Sequence, residues 1–296
     1  MNELLDVKKL TLESENFIDY IDVDDLTLKT YKVGIESFLR YLKNKKINYP
    51  TRNDVIAYRN MLRGNYSSNT VNTYMIAVRK LFKYLEINKK YEDITKDVKG
   101  SKYSTTPKKE VLSSEQIQSI YKNIKNPRDR CLFSLMCSTG LRVCEISTAL
   151  IEDIKIYNGE LVLFILGKKR DSKCEYVKLS AKVYNDILEY IGDRKTGHIF
   201  ISDSNNNKGN GLTTTSLRSI IKRILRENGI DKDTISCHSL RRSFAVISYE
   251  LGNSIYDIEQ VLHHKSISTT ERYLKQVSRD KNKIEFDTST YLFGGS

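Results

Sequence analysis

Residues 262–273 read LHHKSISTTERY, ending on a tyrosine nine residues after His264. Ser268 and Glu271 form the S-x-x-E pattern that opens a helix, so Tyr273 is expected in the first turns of a short stiff element. A phenol held this way can attack phosphorus if the phosphate's charge is compensated. The covalent adduct then stores the energy of the broken phosphodiester, and no nucleotide cofactor is needed. Accordingly, no GxxxxGK[ST] phosphate loop occurs in the chain. Two distant segments offer the compensation. STGLRVCEI sets Arg142 at the junction of two helical stretches, and CHSLRRS sets His238 and Arg241 three apart, on one face of a helix. Charge in phosphoryl transfer sits on the equatorial oxygens, and a planar guanidinium matches two of them where an ammonium is a point charge.

Other chemistries find fewer supports. The four histidines (His198, His238, His263 and His264) form neither HExxH nor a Cys/His ligand spacing, so no metal site is expected. Glu152-Asp153 reads as a cap or a solvated turn, and His198, before Ile199-Phe200-Ile201, as a strand-edge residue. Five cysteines without a CxxC pair fit a reducing cytosol, and Cys131, Cys137 and Cys144 read as core. The longest apolar run, LVLFIL, is far short of a membrane span, and the acidic N-terminus carries no apolar signal segment. A soluble, cytoplasmic protein without a membrane partner follows as the expectation.

The elements that must position these residues divide in two. Residues 1–28 are net −6, whereas residues 29–99 are net +10 and the whole 296-residue chain is +12. Such an excess suggests a polyanionic partner. Apolar residues recur at helical spacing near Leu12 to Tyr20, through Tyr31, Ile35, Phe38 and Leu42, through Val55, Tyr58 and Leu62, and from Val71 to Leu85. Thr51 with Asp54, and Ser68, are capping residues, so a helical bundle is expected over 1–98. The polar stretch at 99–110, with Gly100 and Pro107, reads as a linker. Beyond it, Ser113 with Gln116 caps a helix, and helical segments are expected at 127–138, 143–150, 181–191, 217–227, 239–251, 256–262 and 269–275. Between them IKIYNGELVLFIL carries the hairpin turn Asn158-Gly159, and CEYVKLS supplies a third strand. The class is mostly α with a small antiparallel β-sheet.

TGLRVCEI, Gly167-Lys168 at a strand end, HSLRR and LHHKSISTTERY, in this order, resemble the motifs of the tyrosine recombinase (phage integrase) family. The motifs span roughly 107–279, and the preceding basic bundle is similar to that family's SAM-like core-binding domain. The resemblance implies an α+β catalytic domain over 111–279 and a C-terminal tail at 280–296. It further implies that Arg142 and Arg241 clamp a scissile phosphate while Tyr273 attacks it, leaving a 3′-phosphotyrosyl link and a 5′-hydroxyl. Lys168 would protonate the departing oxygen. His238 would act as general base or phosphate donor, His264 would support the phosphate, and Glu145 would orient Arg142. One departure is visible: His263 stands where the family usually has glycine, at a helix end that favours positive φ.

The substrate so implied is double-stranded DNA carrying recombination sites, cut without metal or cofactor. Phosphate contacts are expected from Arg79, Lys80 and Lys83 in the bundle and from Lys169, Arg170, Lys173, Arg218, Lys222, Arg223 and Arg242 in the catalytic domain. The family implies a homotetramer on two sites, a Holliday junction and an accessory directionality factor. Tyr291, Leu292 and Phe293 form an apolar patch expected to dock on a neighbouring protomer. Alternative readings are type IB topoisomerase-like relaxation and a catalytically silent DNA-binding regulator.

Overall fold

The computed structural model describes residues 6–102, 110–167, 173–205, 207–263 and 284–294. The chain divides into two compact units, Met1–Thr106 and Pro107–Ser296.

In the first unit four helices form where the apolar spacing places them: α1 (Val7–Tyr20), α2 (Asp25–Asn44), α3 (Arg52–Asn65) and α4 (Ser68–Ile87). Each begins on a side chain that satisfies an orphan backbone N–H. Asp6 accepts from Lys9 N at 2.7 Å, Asp24 from Thr27 N at 2.9 Å, and Thr51 and Asp54 form a capping box. The cap of α4 is Ser67, one residue before the expected Ser68. Gly34 lets α2 and α4 approach closely, since a Cβ there would lie 3.1 Å from that of Ala77. Phe38 packs its ring 5.0 Å from Tyr58 and 6.1 Å from Phe82 at the centre of the core.

The chain leaving α4 does not swing free at once. Arg59 donates to Lys99 O at 3.0 Å, Arg63 to Gly100 O at 2.5 Å, and Asn72 exchanges two hydrogen bonds with the Ser101 backbone. The first residues of the expected linker are thus strapped to α3 and α4.

The second unit comprises α5 (Ser114–Asn123), α6 (Pro127–Thr139), α7 (Val143–Ser147), a 3-10 turn (Ile151–Asp153), strands β1 (Ile154–Tyr157), β2 (Glu160–Ile165) and β3 (Glu175–Lys178), and then α8 (Ala181–Ile191), α9 (Thr214–Glu227), α10 (Cys237–Glu250), α11 (Ile255–Val261) and α12 (Ile284–Phe293). The sheet is antiparallel in the order β1-β2-β3, with Phe164 opposite Tyr176. Asn158 (φ 50°) and Gly159 (φ 77°) make the left-handed turn that the Asn-Gly pair predicts. On the outer face Tyr157, Phe164 and Tyr176 form an aromatic triangle with centroids 5.3–5.7 Å apart. The inner face buries Leu163, Ile165 and Val177 in one core shared with residues of α6, α8, α9 and α10.

Three expectations need correction. The helix after Arg142 is only Val143–Ser147, because Thr148 caps it before Leu150. Cys144 is exposed rather than core, since so short a helix buries only Val143, Glu145 and Ile146, while Cys131 is buried as expected and Cys137 is half-buried against the same core. The tail contains a helix, α12, where the sequence predicts only an apolar patch, and Phe286, Tyr291 and Leu292 on it are exposed. Glu152 accepts from Gly197 N and Asp153 from Leu150 N, the turn role expected for that pair. His198 pairs with Leu150 in an isolated bridge, consistent with a strand-edge place.

Gly140 ends α6 with φ 63°, and a Cβ there would lie 2.7 Å from both Leu262 Cδ2 and Phe244 Cδ1. Gly140→Ala therefore combines a left-handed strain with overpacking, together about 2–4 kcal/mol. Thermal unfolding of the second unit is expected to shift down by several degrees; an unchanged melting temperature would refute this account of the turn.

Candidate active site

The turn after Gly140 places Arg142 at the N-terminus of α7, and α10 carries Arg241 on its second turn. Their head groups meet over one carboxylate. Arg142 Nη1 donates to Glu145 Oε1 at 2.6 Å, and Arg241 Nη1 lies 4.0 Å from Glu145 Oε2. That same Oε2 accepts from the Arg142 backbone N at 2.7 Å, so Glu145 caps its own helix and holds both guanidiniums. Glu145 and Arg241 are 1% and 2% exposed, so neither charge has water to fall back on.

Main-chain carbonyls finish the arrangement. Arg241 Nη1 donates to Gly140 O at 2.7 Å and its Nη2 to Leu262 O, while Arg142 Nη2 reaches His263 O at 3.5 Å. Segments far apart in sequence, at the ends of α6 and α11, thereby fix the two guanidiniums. Arg142 keeps about a quarter of its side chain exposed, where Arg241 keeps almost none. A groove of about 360 Å³ opens at this point, lined by Arg142, His238, Arg241, Arg218, Lys222 and Cys144 among others. His238, exposed on the first turn of α10, shares the groove with Arg241 as their spacing predicts. A pair of fixed guanidiniums under a cationic groove suits a phosphodiester.

Lys168, Lys169, Arg170, His264 and Tyr273 lie outside the described residues.

Residues 110–279 match the phage integrase family, and residues 15–89 match its N-terminal SAM-like domain. The chain belongs to the phage integrase family, that of the tyrosine recombinases. Its curated relatives include the tyrosine recombinase XerA of Pyrococcus furiosus, 27% identical over 281 residues covering 92% of this chain and 93% of that protein. Tyrosine recombinase XerD of Oceanobacillus iheyensis is also 27% identical, covering 88% and 92%. In fold it resembles the XerH site-specific recombinase bound to difH substrate in a pre-cleavage complex, with TM-score 0.74, 22% identity and 98% coverage of both chains. It likewise resembles the Tn1549 transposon integrase in complex with transposon right-end DNA, with TM-score 0.71, 16% identity and coverage of 96% and 99%. This tyrosine recombinase is thus a DNA recombination enzyme with the two-part architecture expected, and no helix among its described residues is long and apolar enough to cross a membrane.

Several cations of this recombinase occupy places the sequence could not foresee. Lys173 turns inward, donating to Thr148 O at 3.1 Å and pairing with Asp153. Arg223 bridges Asp129 and Glu227, fastening α9 to α6. Arg242 is buried, 7% exposed, which does not suit the DNA contact expected of it. In the N-terminal unit Arg79, Lys80 and Lys83 line a groove of about 750 Å³ together with Lys96 and Lys99, and Arg79 Nη2 donates to Val98 O. Arg59 and Arg63, which no sequence pattern marks, spend hydrogen bonds on the linker strap instead. Among described residues no cluster of His, Cys, Asp and Glu could hold a metal ion.

Proposed function

We propose that this tyrosine recombinase cuts and rejoins duplex DNA at specific sites through a phosphotyrosyl intermediate. Tyr273 Oη attacks the scissile phosphorus and the 5′-oxygen leaves, so one phosphodiester is exchanged for another and no external energy enters. Arg142 and Arg241 would neutralise the two non-bridging oxygens. His238 would take the phenol proton as general base or donate to the phosphate, and His264 would support the phosphate. Lys168 would give its proton to the leaving 5′-oxygen, and attack by a 5′-hydroxyl from a second duplex would reverse the step. Repeated on both strands at two sites, the exchange passes through a Holliday junction in a tetramer, and α12 with its exposed Phe286, Tyr291 and Leu292 is the surface we assign to contact with a neighbouring protomer. The cations of both units bind the DNA backbone, so affinity should fall steeply with salt.

The observation that carries this reading is the shared carboxylate of Glu145 holding two guanidiniums at the rim of one groove. Its test uses the full-length protein with nicked, sheared genomic DNA of the source organism in EDTA. A covalent protein–DNA adduct is expected, with the nucleotide on the Tyr273 peptide and reads that map to a discrete sequence. Adduct at no preferred sequence would favour topoisomerase-like relaxation, and no adduct at all a silent DNA-binding protein.

A further inference from the structure

Residue 263 is the one place where the third motif departs from the family pattern, and the structure gives that departure a physical form. The segment leaving α11 turns through His263 with φ 48°, the left-handed region where a side chain is strained. Glycine there would remove about 1 kcal/mol of strain. The chain nevertheless carries an imidazole, and it is not turned out to water: its side chain is 15% exposed and its Nδ1 lies 3.5 Å from Glu175 Oε2. Burial lowers the imidazole's pKa, against the opposing pull of Glu175 and Glu145 and with Arg241 and Arg142 adding to the lowering. The Nδ1 edge of the ring thus faces the Glu175 carboxylate.

Glu175 is the first residue of β3, opposite Ile165 on β2. Its carboxylate lies against the backbone at the other root of the same hairpin, because a Cβ on Gly167 would stand 2.5 Å from Oε2 and 2.9 Å from Cδ. Gly167 therefore makes room for this carboxylate. The residues between Gly167 and Glu175 include Lys168, the proposed proton donor. At its other end residue 263 touches the phosphate clamp, since its own carbonyl accepts from Arg142 and the preceding carbonyl from Arg241. One residue thus meets the arginine pair through its backbone and the hairpin root through its side chain.

We propose that His263 is a positioning residue that latches the β2–β3 hairpin, through Glu175, to the Arg142–Arg241 clamp, setting the distance between the proton donor and the phosphate. The inference rests on the recombinase reading above, in which a hairpin lysine protonates the leaving oxygen. A latch of this kind acts mainly on the chemical step, because most of the expected phosphate contacts, among them Arg79, Lys80, Lys83, Arg218 and Lys222, lie on other elements. It also explains why a strained histidine is kept where glycine would fold more easily.

The experiment measures single-turnover cleavage on a nicked duplex carrying the cleavage site mapped for the wild-type protein, together with DNA affinity and melting temperature. His263→Gly is expected to slow cleavage about tenfold through lost positioning, with affinity within about twofold and a melting temperature equal or higher. His263→Asn, which tolerates positive φ and places an amide N–H near the position of Nδ1, should recover most of the rate. Glu175→Ala should match His263→Gly, and the double variant should be no slower than either. A wild-type rate for His263→Gly overturns the latch, and so does a slow variant whose melting temperature has fallen. Additive losses in the double variant also overturn it. If the wild-type protein forms no adduct, the recombinase reading fails and takes the latch with it.

Discussion

Arg241→Lys is expected to lower single-turnover cleavage by about a thousandfold, the scale set by losing a preorganised guanidinium from a phosphoryl-transfer site. The side chain is buried and its two terminal nitrogens reach different main-chain carbonyls, Gly140 O at 2.7 Å and Leu262 O. A lysine ammonium donates from a single nitrogen and cannot span both carbonyls while also facing a phosphate. One carbonyl would be left without its donor at a cost of about 1–3 kcal/mol, so the melting temperature should fall together with the rate. Arg142→Lys provides the contrast. Arg142 is about a quarter exposed, its hydrogen bond to His263 O is long, and a lysine ammonium there can still pair with the Glu145 carboxylate, so the change should cost rate with a smaller loss of stability than at Arg241. Cleavage by Arg241→Lys within tenfold of wild type would mean that the phosphate is held elsewhere.

The difference between these two arginines marks where the sequence ceases to be legible. Spacing alone put Arg241 and His238 on one helix face, and the Thr-Gly-Leu-Arg turn put Arg142 at a helix start, because these are local properties of an α-helix and its caps. That Glu145 would serve both guanidiniums, and that carbonyls of Gly140, Leu262 and His263 would anchor them, depends on chain ends brought together by tertiary packing. No side-chain pattern encodes a carbonyl partner. The same limit explains Lys173 and Arg223, whose carboxylates Asp153 and Asp129 lie 20 and 94 residues away in sequence. As cations in a basic protein they read as DNA contacts, and only the fold shows them spent on ion pairs.

Fold elements followed a similar division. Helices with a strong apolar stripe and a cap, such as α4 behind Ser67 and α5 behind Ser113, were legible to within a residue or two. The Asn-Gly hairpin was legible because few pairs accept two left-handed residues in succession. Helix α12 was not, since IEFDTSTYLF is rich in β-branched and hydroxyl residues and its apolar residues do not gather on one face. Phe286, Tyr291 and Leu292 stay exposed on this chain, so no inward-facing pattern marks the helix, although the apolar character of the segment was legible.

Replacing Tyr273 by Phe should abolish the covalent adduct while leaving DNA affinity and its salt dependence within about twofold of wild type, because phosphate contacts rather than the phenol set the electrostatic part of binding. The change removes one oxygen and keeps the ring, so packing around the helix expected to begin at Ser268 is preserved. Its value lies in what the remaining groups would still do. Arg142, Arg241 and His238 would go on gripping the phosphate, and a hydrolytic enzyme that activates water in the same groove would go on nicking DNA. If the phenol is the nucleophile, strand breakage must vanish with the adduct, in EDTA and in Mg²⁺ alike. Residual nicking by Tyr273→Phe at the mapped site, above about a thousandth of the wild-type rate, would transfer the attack from the phenol to water and overturn the phosphotyrosyl mechanism.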